Sequence, residues 1–200
     1  MTHHVAASPP NIGATSPFAI EHHAIHQTTM PTPYDHINQH NAQKQYNSRM
    51  CFVCGVENPA GLHAHFYQID DVTCVARFLP ADHHQGYPGR VHGGVIASIM
   101  DEAMGRAVWG DAKTWGVTAE LTLKYKLPVP MGEMLTVVGR LTRDTRRIFE
   151  AEGELLTADG RVAVVAHGKY LKVPLERILE ETAAAGLDPN LELFIVPDPE

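Results

Sequence analysis

A glycine-rich turn that runs directly into an apolar helix constrains this chain more than any other stretch. The turn contains Gly86, Gly89, Gly93 and Gly94, and apolar residues recur with a helical period from there to Val108. At about 100° per residue, one broad arc of the predicted helix is apolar. Its members are Ile96, Ala97, Ile99, Met100, Ala103, Met104, Ala107 and Val108. Such a helix has to bury this arc, so it is predicted to pack against a sheet.

The first turn of this helix has the properties of a site for a polarised oxygen. The first N–H groups of a helix lack intrahelical partners, and the helix dipole makes that end partly positive. His92 is followed by Gly93 and Gly94, whose missing Cβ atoms allow a ligand atom to approach the backbone. The N–H of Gly93, with Gly94 beside it, is therefore predicted to polarise a carbonyl. A plain glycine turn before a core helix is the alternative.

Asp101 falls at the edge of the apolar arc, whereas Glu102 and Arg106 fall on the opposite side. A carboxylate at that edge is partly desolvated, which favours a functional role for Asp101 as a general base or a nucleophile. A boundary residue that the fold merely tolerates is the alternative. Glu102 and Arg106 are four residues apart and are predicted to form a solvated ion pair.

The spacing of these residues resembles that of a known family. His92, Gly93 and Gly94, with Asp101 seven residues after the second glycine, are similar to the motif of the hotdog-fold acyl-CoA thioesterases of the PaaI type, in the 4-hydroxybenzoyl-CoA thioesterase superfamily. Further motifs in the same order are the segments 51–55, 58–62, 85–89 and 116–118, so the resemblance runs from about residue 51 to 173. It implies an α+β hotdog fold, in which an antiparallel sheet wraps around one long central helix.

The resemblance also implies an activity and catalytic residues. The activity is hydrolysis of an acyl-CoA thioester without a cofactor, in a homodimer or tetramer whose active sites lie between subunits. Asp101 would be the base or nucleophile, Gly93 would polarise the carbonyl, and Thr118 would come from the partner subunit to orient the water. Some members use an Asn in the loop before the helix; this chain has none there, so Gln85 or His84 would substitute.

A second group of residues is predicted to bind the substrate. Its members are Gln85, His92, Gly94, Gly116, Val117, Arg143, Arg146 and Arg147. The three arginines form the densest cationic cluster of the chain and suit the phosphate groups of coenzyme A. A solvated hairpin turn is the alternative for them, and a purely structural role is the alternative for His92.

Cys51 and Cys54 form half of a zinc site. His63 and His65 would have to complete it, from one face of a predicted strand over 62–68. The resembling family carries the cysteine pair without a metal in its chemistry, so the prediction is a packed turn and no metal. A zinc or redox module stays open, as do a binding-only hotdog domain and a hydratase that uses His84 with Asp101 or Glu102.

Composition narrows the range of partners and compartments. The formal net charge of −7 gives no general attraction to nucleic acid or to anionic membranes. No apolar run approaches the roughly 20 residues of a membrane span. The three cysteines do not suggest a disulfide scaffold, and with no secretory signal the predicted location is the cytoplasm.

Three segments are predicted along the chain. Residues 1–47 form a disordered arm rich in His and Pro, residues 48–174 form the hotdog domain, and residues 175–200 form a short helix and a peripheral tail. The domain is predicted to contain strands over 62–68, 72–79, 115–125, 133–141, 148–157 and 161–173, with the long helix between the second and third strands. In the strand over 115–125, Thr118 is predicted to face away from Leu121 and Leu123.

Overall fold

The computed structural model describes residues 32–37, 42–111 and 114–193. In these ranges one seven-stranded antiparallel sheet wraps around a central helix. The elements are β1 (Gln43–Lys44), β2 (His65–Asp70), β3 (Thr73–Phe78), α1 (Gly93–Gly105), β4 (Thr114–Tyr125), β5 (Leu135–Asp144), β6 (Ile148–Leu156), β7 (Val162–Pro174), α2 (Leu175–Ala184) and α3 (Pro189–Leu193). The strand order is β1-β2-β3-β5-β6-β7-β4, so β4 and β1 are the two edges.

The central helix forms where the sequence predicts it. His92 is the N-cap, and its Nδ1 accepts a hydrogen bond of 3.0 Å from the N–H of Gly94. The predicted apolar arc faces the sheet, and its fully buried members are Ile96, Ile99, Met100, Ala103, Met104 and Ala107. The sheet approaches the helix closely at Gly139 of β5, where a Cβ atom would lie 2.4 Å from the carbonyl oxygen of Ala103. Only glycine permits this backbone-to-backbone contact.

The predicted strand order along the chain is confirmed, with boundary differences of up to three residues. The hairpin of β2 and β3 turns at Asp71 and Val72, and α2 begins at residue 175, where the short helix is predicted. The turn between β6 and β7 contains Asp159 and Gly160, and Gly160 has a φ of 79°. The first strand starts later than predicted, at His65, because His63 has a φ of 49°, which lies outside the extended region.

The folded part of the chain begins earlier than residue 48. Gln43 and Lys44 pair with β2, and the Nδ2 atom of buried Asn47 donates to the carbonyl oxygens of Cys54 and Ala64. Residues 42–47 therefore belong to the folded domain, because their backbone and side chains satisfy its hydrogen-bonding groups. The prediction of a disordered arm over 1–31 and 38–41 concerns residues outside the described ranges.

The prediction for the faces of β4 is wrong because the strand contains a bulge. Its pairing with β7 passes from Thr118–Tyr170 to Glu120–Lys169, which leaves Ala119 as the extra residue. A bulge shifts the alternation of side chains by one position. Thr118 therefore faces α1, as do Leu121 and Leu123, which pack against the core beyond the bulge.

The end of the C-terminal segment is tied to the domain through Arg49. Arg49 donates from its backbone N–H to the carbonyl oxygen of Glu192 at 2.9 Å, and its guanidinium forms an ion pair of 2.8 Å with the Glu192 carboxylate. The segment around α3 is therefore less peripheral than predicted, while residues 194–200 lie outside the described part of the chain. Among the described helices, none has the length and apolar character that a membrane crossing requires.

Candidate active site

Two groups of polar atoms lie on α1, one at its first turn and one at its middle. The first consists of the backbone around Gly93, and the second surrounds the carboxylate of Asp101. They are eight residues apart in the sequence, which corresponds to about 12 Å along a helix axis.

At the first turn, the backbone N–H of Gly93 remains available. The N–H of Gly93 has no hydrogen-bond partner within the described residues, whereas the N–H of Gly94 donates to His92 Nδ1. Gly94 is therefore engaged in the helix cap rather than available for a ligand, and His92 has a capping role. The hydroxyl of Tyr125 donates to the carbonyl oxygen of Gly93 at 2.7 Å and fixes the orientation of this turn.

A pocket of about 370 Å³ opens beside Gly93. Tyr87, Arg90, Tyr125 and Lys126 contribute its polar and aromatic lining, and no carboxylate lines it. The pocket can therefore accept a ligand that carries negative charge beside the helix start.

The loop before α1 places Gln85 and His84 differently. Gln85 is exposed, and its Oε1 accepts from the N–H of Gly89 at 2.8 Å, which holds the glycine turn. His84 is buried; its Nδ1 accepts from the N–H of Ala81, and its Nε2 lies 3.1 Å from the carbonyl oxygen of Ala60. Burial lowers the pKa of His84. His84 therefore serves the loop structure. Of the two predicted substitutes for Asn, Gln85 is the one whose side chain is exposed and can face a ligand.

At the middle of α1, three elements converge on the Asp101 carboxylate. Thr118 Oγ1 of β4 lies 3.0 Å from both carboxylate oxygens, and the hydroxyl of Tyr170 of β7 lies 3.1 Å from Oδ1. Burial raises the pKa of Asp101, while the hydrogen bonds from Thr118 and Tyr170 act in the opposite direction. Asp101 is thus a half-buried carboxylate with neutral hydroxyl partners, an arrangement suited to accepting a proton.

Thr118 reaches Asp101 from the same chain. The bulge at Ala119 turns its hydroxyl toward α1, so Thr118 and Asp101 form one group in the same chain. That Thr118 acts from the partner subunit with respect to Gly93 stays a prediction. A cavity of about 60 Å³ lies between Asp101, Thr118 and Tyr170. This volume is enough for a water molecule, and the polar groups around it supply hydrogen-bond partners.

Gly116 and Val117 flank this cluster on β4. A Cβ atom at Gly116 would lie 2.7 Å from the ring of Phe149 and 3.3 Å from the carbonyl oxygen of Gly105, so glycine is required there for packing. The side chain of Val117 is 42% exposed on the sheet edge. The structure thus explains Gly116 by close packing and leaves Val117 accessible to a ligand or to a second chain.

The three arginines lie together at one end of the β5–β6 hairpin. Arg143 is on β5, where it forms an exposed ion pair of 3.2 Å with Glu150, and Arg146 and Arg147 are exposed in the turn. The carbonyl oxygen of Arg147 accepts from the N–H of Lys172, the residue that pairs with Gly116 of β4. The hairpin turn therefore lies at the end of the sheet that carries Gly116 and Thr118.

The cysteine pair forms a cluster without histidine. In the described part of the chain, Cys51, Cys54 and Glu102 form the group with metal-ligand spacing, and His63 and His65 are not members. The proposed Cys2His2 zinc site is therefore not formed by these residues.

The Glu102–Arg106 pair also differs from the prediction of a solvated pair, because Arg106 is only 5% exposed and lies 4.3 Å above the ring of Phe66.

Sequence reasoning did not identify Tyr125 and Tyr170. Both lie in strands whose alternation predicts only core or surface positions, and neither belongs to a motif. Their contacts with Gly93 and Asp101 join residues 32 and 69 positions apart in the chain, so no local pattern indicates them.

Comparisons with known proteins agree with this geometry. The thioesterase superfamily model matches residues 88–164, which contain Gly93, Asp101 and Thr118. A crystal structure of protein RHA08564, a thioesterase superfamily protein, is 34% identical with a TM-score of 0.57 over 62% of this chain and 60% of that chain. The Escherichia coli PaaI protein, 17% identical, has the same fold with a TM-score of 0.52 over 56% of this chain and 80% of its own. The domain has a hotdog fold, and over residues 88–164 the chain is similar to the thioesterase superfamily.

A relative with an assigned name points to the same family. The rat acyl-coenzyme A thioesterase THEM4 is 31% identical over 109 residues, which cover 54% of this chain and 46% of the relative. The chain thus spans about half the length of the curated relatives that it matches.

Proposed function

We propose that this chain hydrolyses acyl-CoA thioesters to a free acid and coenzyme A. The observation that carries the proposal is the Asp101 carboxylate, half-buried, held by the hydroxyls of Thr118 and Tyr170, and bordered by a cavity of about 60 Å³. The helix start at Gly93 supplies the second requirement of acyl transfer, an N–H directed at the oxygen of the reacting carbonyl. The name of the THEM4 relative supports the acyl-CoA substrate class.

The chemistry follows from these groups. The N–H of Gly93 donates to the thioester oxygen, and the positive end of the helix dipole stabilises the negative charge that develops there. Asp101 removes a proton from a water molecule, which attacks the carbonyl carbon; the thiolate of coenzyme A then leaves as the C–S bond breaks. Direct attack by the Asp101 carboxylate, with hydrolysis of the resulting anhydride, is the alternative that Asp101 also permits.

A single chain cannot bring both groups to one carbonyl. Gly93 and Asp101 are separated by about 12 Å along α1, whereas both must lie within about 3–3.5 Å of the reacting atoms. We therefore infer a homo-oligomer in which Gly93 of one copy faces Asp101 and Thr118 of another. The exposed edge of β4, with Val117, Thr118 and Ala119, is the surface that the second copy would cover.

The remaining expectations extend this proposal. Arg143, Arg146 and Arg147 would hold the phosphate groups of coenzyme A, because an exposed Arg cluster on an acidic chain attracts them. Gln85 and Val117 would border the substrate, and no cofactor is required. The three free cysteines suit a reducing compartment, and we place the protein in the cytoplasm. A hydratase that uses His84 receives no support, since both ring nitrogens of His84 face backbone groups.

The first experiment measures thiol release from a panel of acyl-CoAs by the wild type and by Asp101→Asn. We expect kcat to fall by about 10²–10⁴-fold in the variant, because the amide cannot accept the proton of water. Glu102→Gln is the matched control, since it makes the same chemical change one residue further along α1, and it should retain most of the activity. A wild type that binds acyl-CoA and releases no thiol would make the chain a binding domain.

The second experiment tests the N–H of Gly93 at the helix start. Gly93→Pro removes the N–H yet suits the first helical position, where proline is well tolerated. Gly93→Ala keeps the N–H, and its Cβ would make only an ordinary contact of 3.6 Å with Tyr125. We expect proline to lower kcat by about 10²–10³-fold and alanine to lower it far less.

Mixing the two inactive variants tests whether sites are shared. A heterodimer of Gly93→Pro and Asp101→Asn contains one site with both native groups and one site with neither. After subunit exchange at equal concentration, about one quarter of wild-type activity should return. No recovery in a mixture shown to exchange subunits would contradict the shared site.

A further inference from the structure

The Cys51–Cys54 turn lies beside α1 at Glu102. The two sulfur atoms and a carboxylate oxygen of Glu102 lie within 4.8 Å of one another. The side chains of Cys51 and Cys54 are therefore close neighbours. Gly55 makes this turn possible: its N–H donates to the carbonyl oxygen of Cys51, and a Cβ atom would lie 2.2 Å from that oxygen.

Both sulfur atoms accept hydrogen bonds from N–H groups. The N–H of Val53 lies 3.3 Å from Cys51 Sγ, and the N–H of Ser48 lies 3.4 Å from Cys54 Sγ. Arg106 Nη2 lies 3.2 Å from Cys54 Sγ. Donors of this kind stabilise a thiolate more than a thiol, so the pair is built to carry negative charge.

Arg106 supplies the positive charge of the cluster. Its Nε forms an ion pair of 2.8 Å with Glu102, while its Nη2 contacts Cys54. A metal ion bound by both cysteines and Glu102 would have to share two of its three ligands with this buried guanidinium. Because Arg106 occupies Cys54 and Glu102, the geometry favours a metal-free cysteine pair over a metal centre.

The two thiols differ in a way that suits exchange chemistry. Cys51 is half-buried, whereas Cys54 is completely buried. The neighbouring Cys54 side chain lowers the pKa of Cys51. Burial raises the pKa of Cys74 to about 12 and makes that thiol an inert internal reference.

We propose that Cys51 and Cys54 form a redox-active dithiol that exchanges with small soluble disulfides. The Cys51 thiolate attacks one sulfur of the disulfide, and the other sulfur leaves as a thiolate. Cys54 then loses its proton to solvent and attacks the mixed disulfide at Cys51 Sγ, which releases the second thiolate. The chain gains an intramolecular disulfide and loses two electrons and two protons; the small disulfide is reduced to two thiols.

The proposal is independent of the hydrolase activity, because it rests on the cluster alone. The full-length chain is equilibrated in mixtures of reduced and oxidised glutathione, quenched with iodoacetamide, and analysed by peptide mass spectrometry. We expect the peptide that contains Cys51 and Cys54 to change from doubly alkylated to unalkylated with the loss of two hydrogen atoms. Cys74 should remain a thiol that is alkylated after denaturation.

Two further measurements separate this site from a structural turn or a metal site. At pH 6.5, native Cys51 should react with iodoacetamide several-fold faster than a cysteine of ordinary pKa, since the larger thiolate fraction outweighs the lower nucleophilicity. In Cys54→Ser, which lacks the resolving thiol, Cys51 should accumulate as the mixed disulfide with glutathione.

A dithiol that stays reduced at every glutathione ratio would overturn the proposal. So would zinc at one ion per chain in the isolated protein, lost in Cys51→Ser and kept in Cys74→Ser. Both variants retain the histidines near the N-terminus, so metal bound by those residues would not differ between them.

Discussion

Asp101 and Glu102 are adjacent on α1, yet their carboxylates have opposite surroundings. Asp101 faces the neutral hydroxyls of Thr118 and Tyr170, and burial raises its pKa. Glu102 forms an ion pair with the buried Arg106. Because successive residues of a helix point about 100° apart, one carboxylate lies toward β4 and β7 while the next lies toward the cysteine turn. A carboxylate with no positively charged partner, such as that of Asp101, is available to accept a proton. A carboxylate paired with a guanidinium, such as that of Glu102, stabilises the structure instead.

The largest expected effect tests the structural side of this comparison. Arg106→Met should lower the free energy of unfolding by about 3–5 kcal/mol, because the change leaves Glu102, Cys54 and the carbonyl oxygen of Tyr46 without their buried partner. The measurement is urea unfolding followed by circular dichroism. Asp101→Asn should leave stability the same or slightly higher, since it relieves the burial of a charge.

Arg177→Met is the control for that experiment. Arg177 forms a pair with Glu181 at the same i,i+4 spacing, but its side chain is 68% exposed. Exposed pairs of this kind contribute about 0.3–0.5 kcal/mol. Equal losses for Arg106→Met and Arg177→Met would show that burial does not distinguish the two pairs.

On the catalytic side, Thr118→Val removes the hydroxyl that contacts both oxygens of Asp101 and keeps the side-chain shape. A hydrogen bond to a charged group contributes about 1.5–3 kcal/mol, so kcat should fall by about 10–100-fold. Thr122→Val, further along β4, is the control. Steady-state kinetics with the preferred acyl-CoA measure the difference, and an equal effect of the two variants would remove Thr118 from the site.

Tyr170→Phe should change the pH dependence more than the maximal rate. Activity needs the carboxylate form of Asp101, and its pKa is raised. The acidic limb of the profile of kcat/KM against pH should therefore lie at higher pH than it would for an aspartate of ordinary pKa. The Tyr170 hydrogen bond holds that pKa down, so its removal should move the limb about one pH unit higher. Phenylalanine keeps the ring stacked on Phe149, whose centroid lies 4.8 Å away. An acidic limb at the same pH in the wild type and in Tyr170→Phe would contradict the role of the Tyr170 hydrogen bond in lowering the pKa of Asp101.

The smallest effect concerns the helix start. Tyr125→Phe removes the hydrogen bond of 2.7 Å to the carbonyl oxygen of Gly93 and should lower kcat by about 3–10-fold, as expected for one neutral hydrogen bond. Tyr87→Phe changes the same pocket without touching Gly93 and serves as the control. Equal kinetics for wild type and Tyr125→Phe would show that the helix start keeps its orientation without Tyr125.

Much of the architecture was predictable because it depends on local patterns. The apolar arc of α1 and the glycine-rich helix start each act within a few residues. The helix pattern itself indicated Gly93 and Asp101, and the resemblance added the hotdog arrangement and the role of Thr118. The alternation rule failed in β4, since the bulge at Ala119 has no local signal that distinguishes it from an ordinary strand position.

The sequence by itself determined the helix, the order of strands and the presence of a carboxylate at the rim of the core, because backbone propensity and hydrophobic period act over short distances. Only the tertiary structure decided what surrounds that carboxylate. It brought Thr118 and Tyr170 onto Asp101, buried Arg106 between Glu102 and Cys54, and engaged Gly94 in the cap. These outcomes depend on strand register and close packing between distant segments, which no single segment encodes.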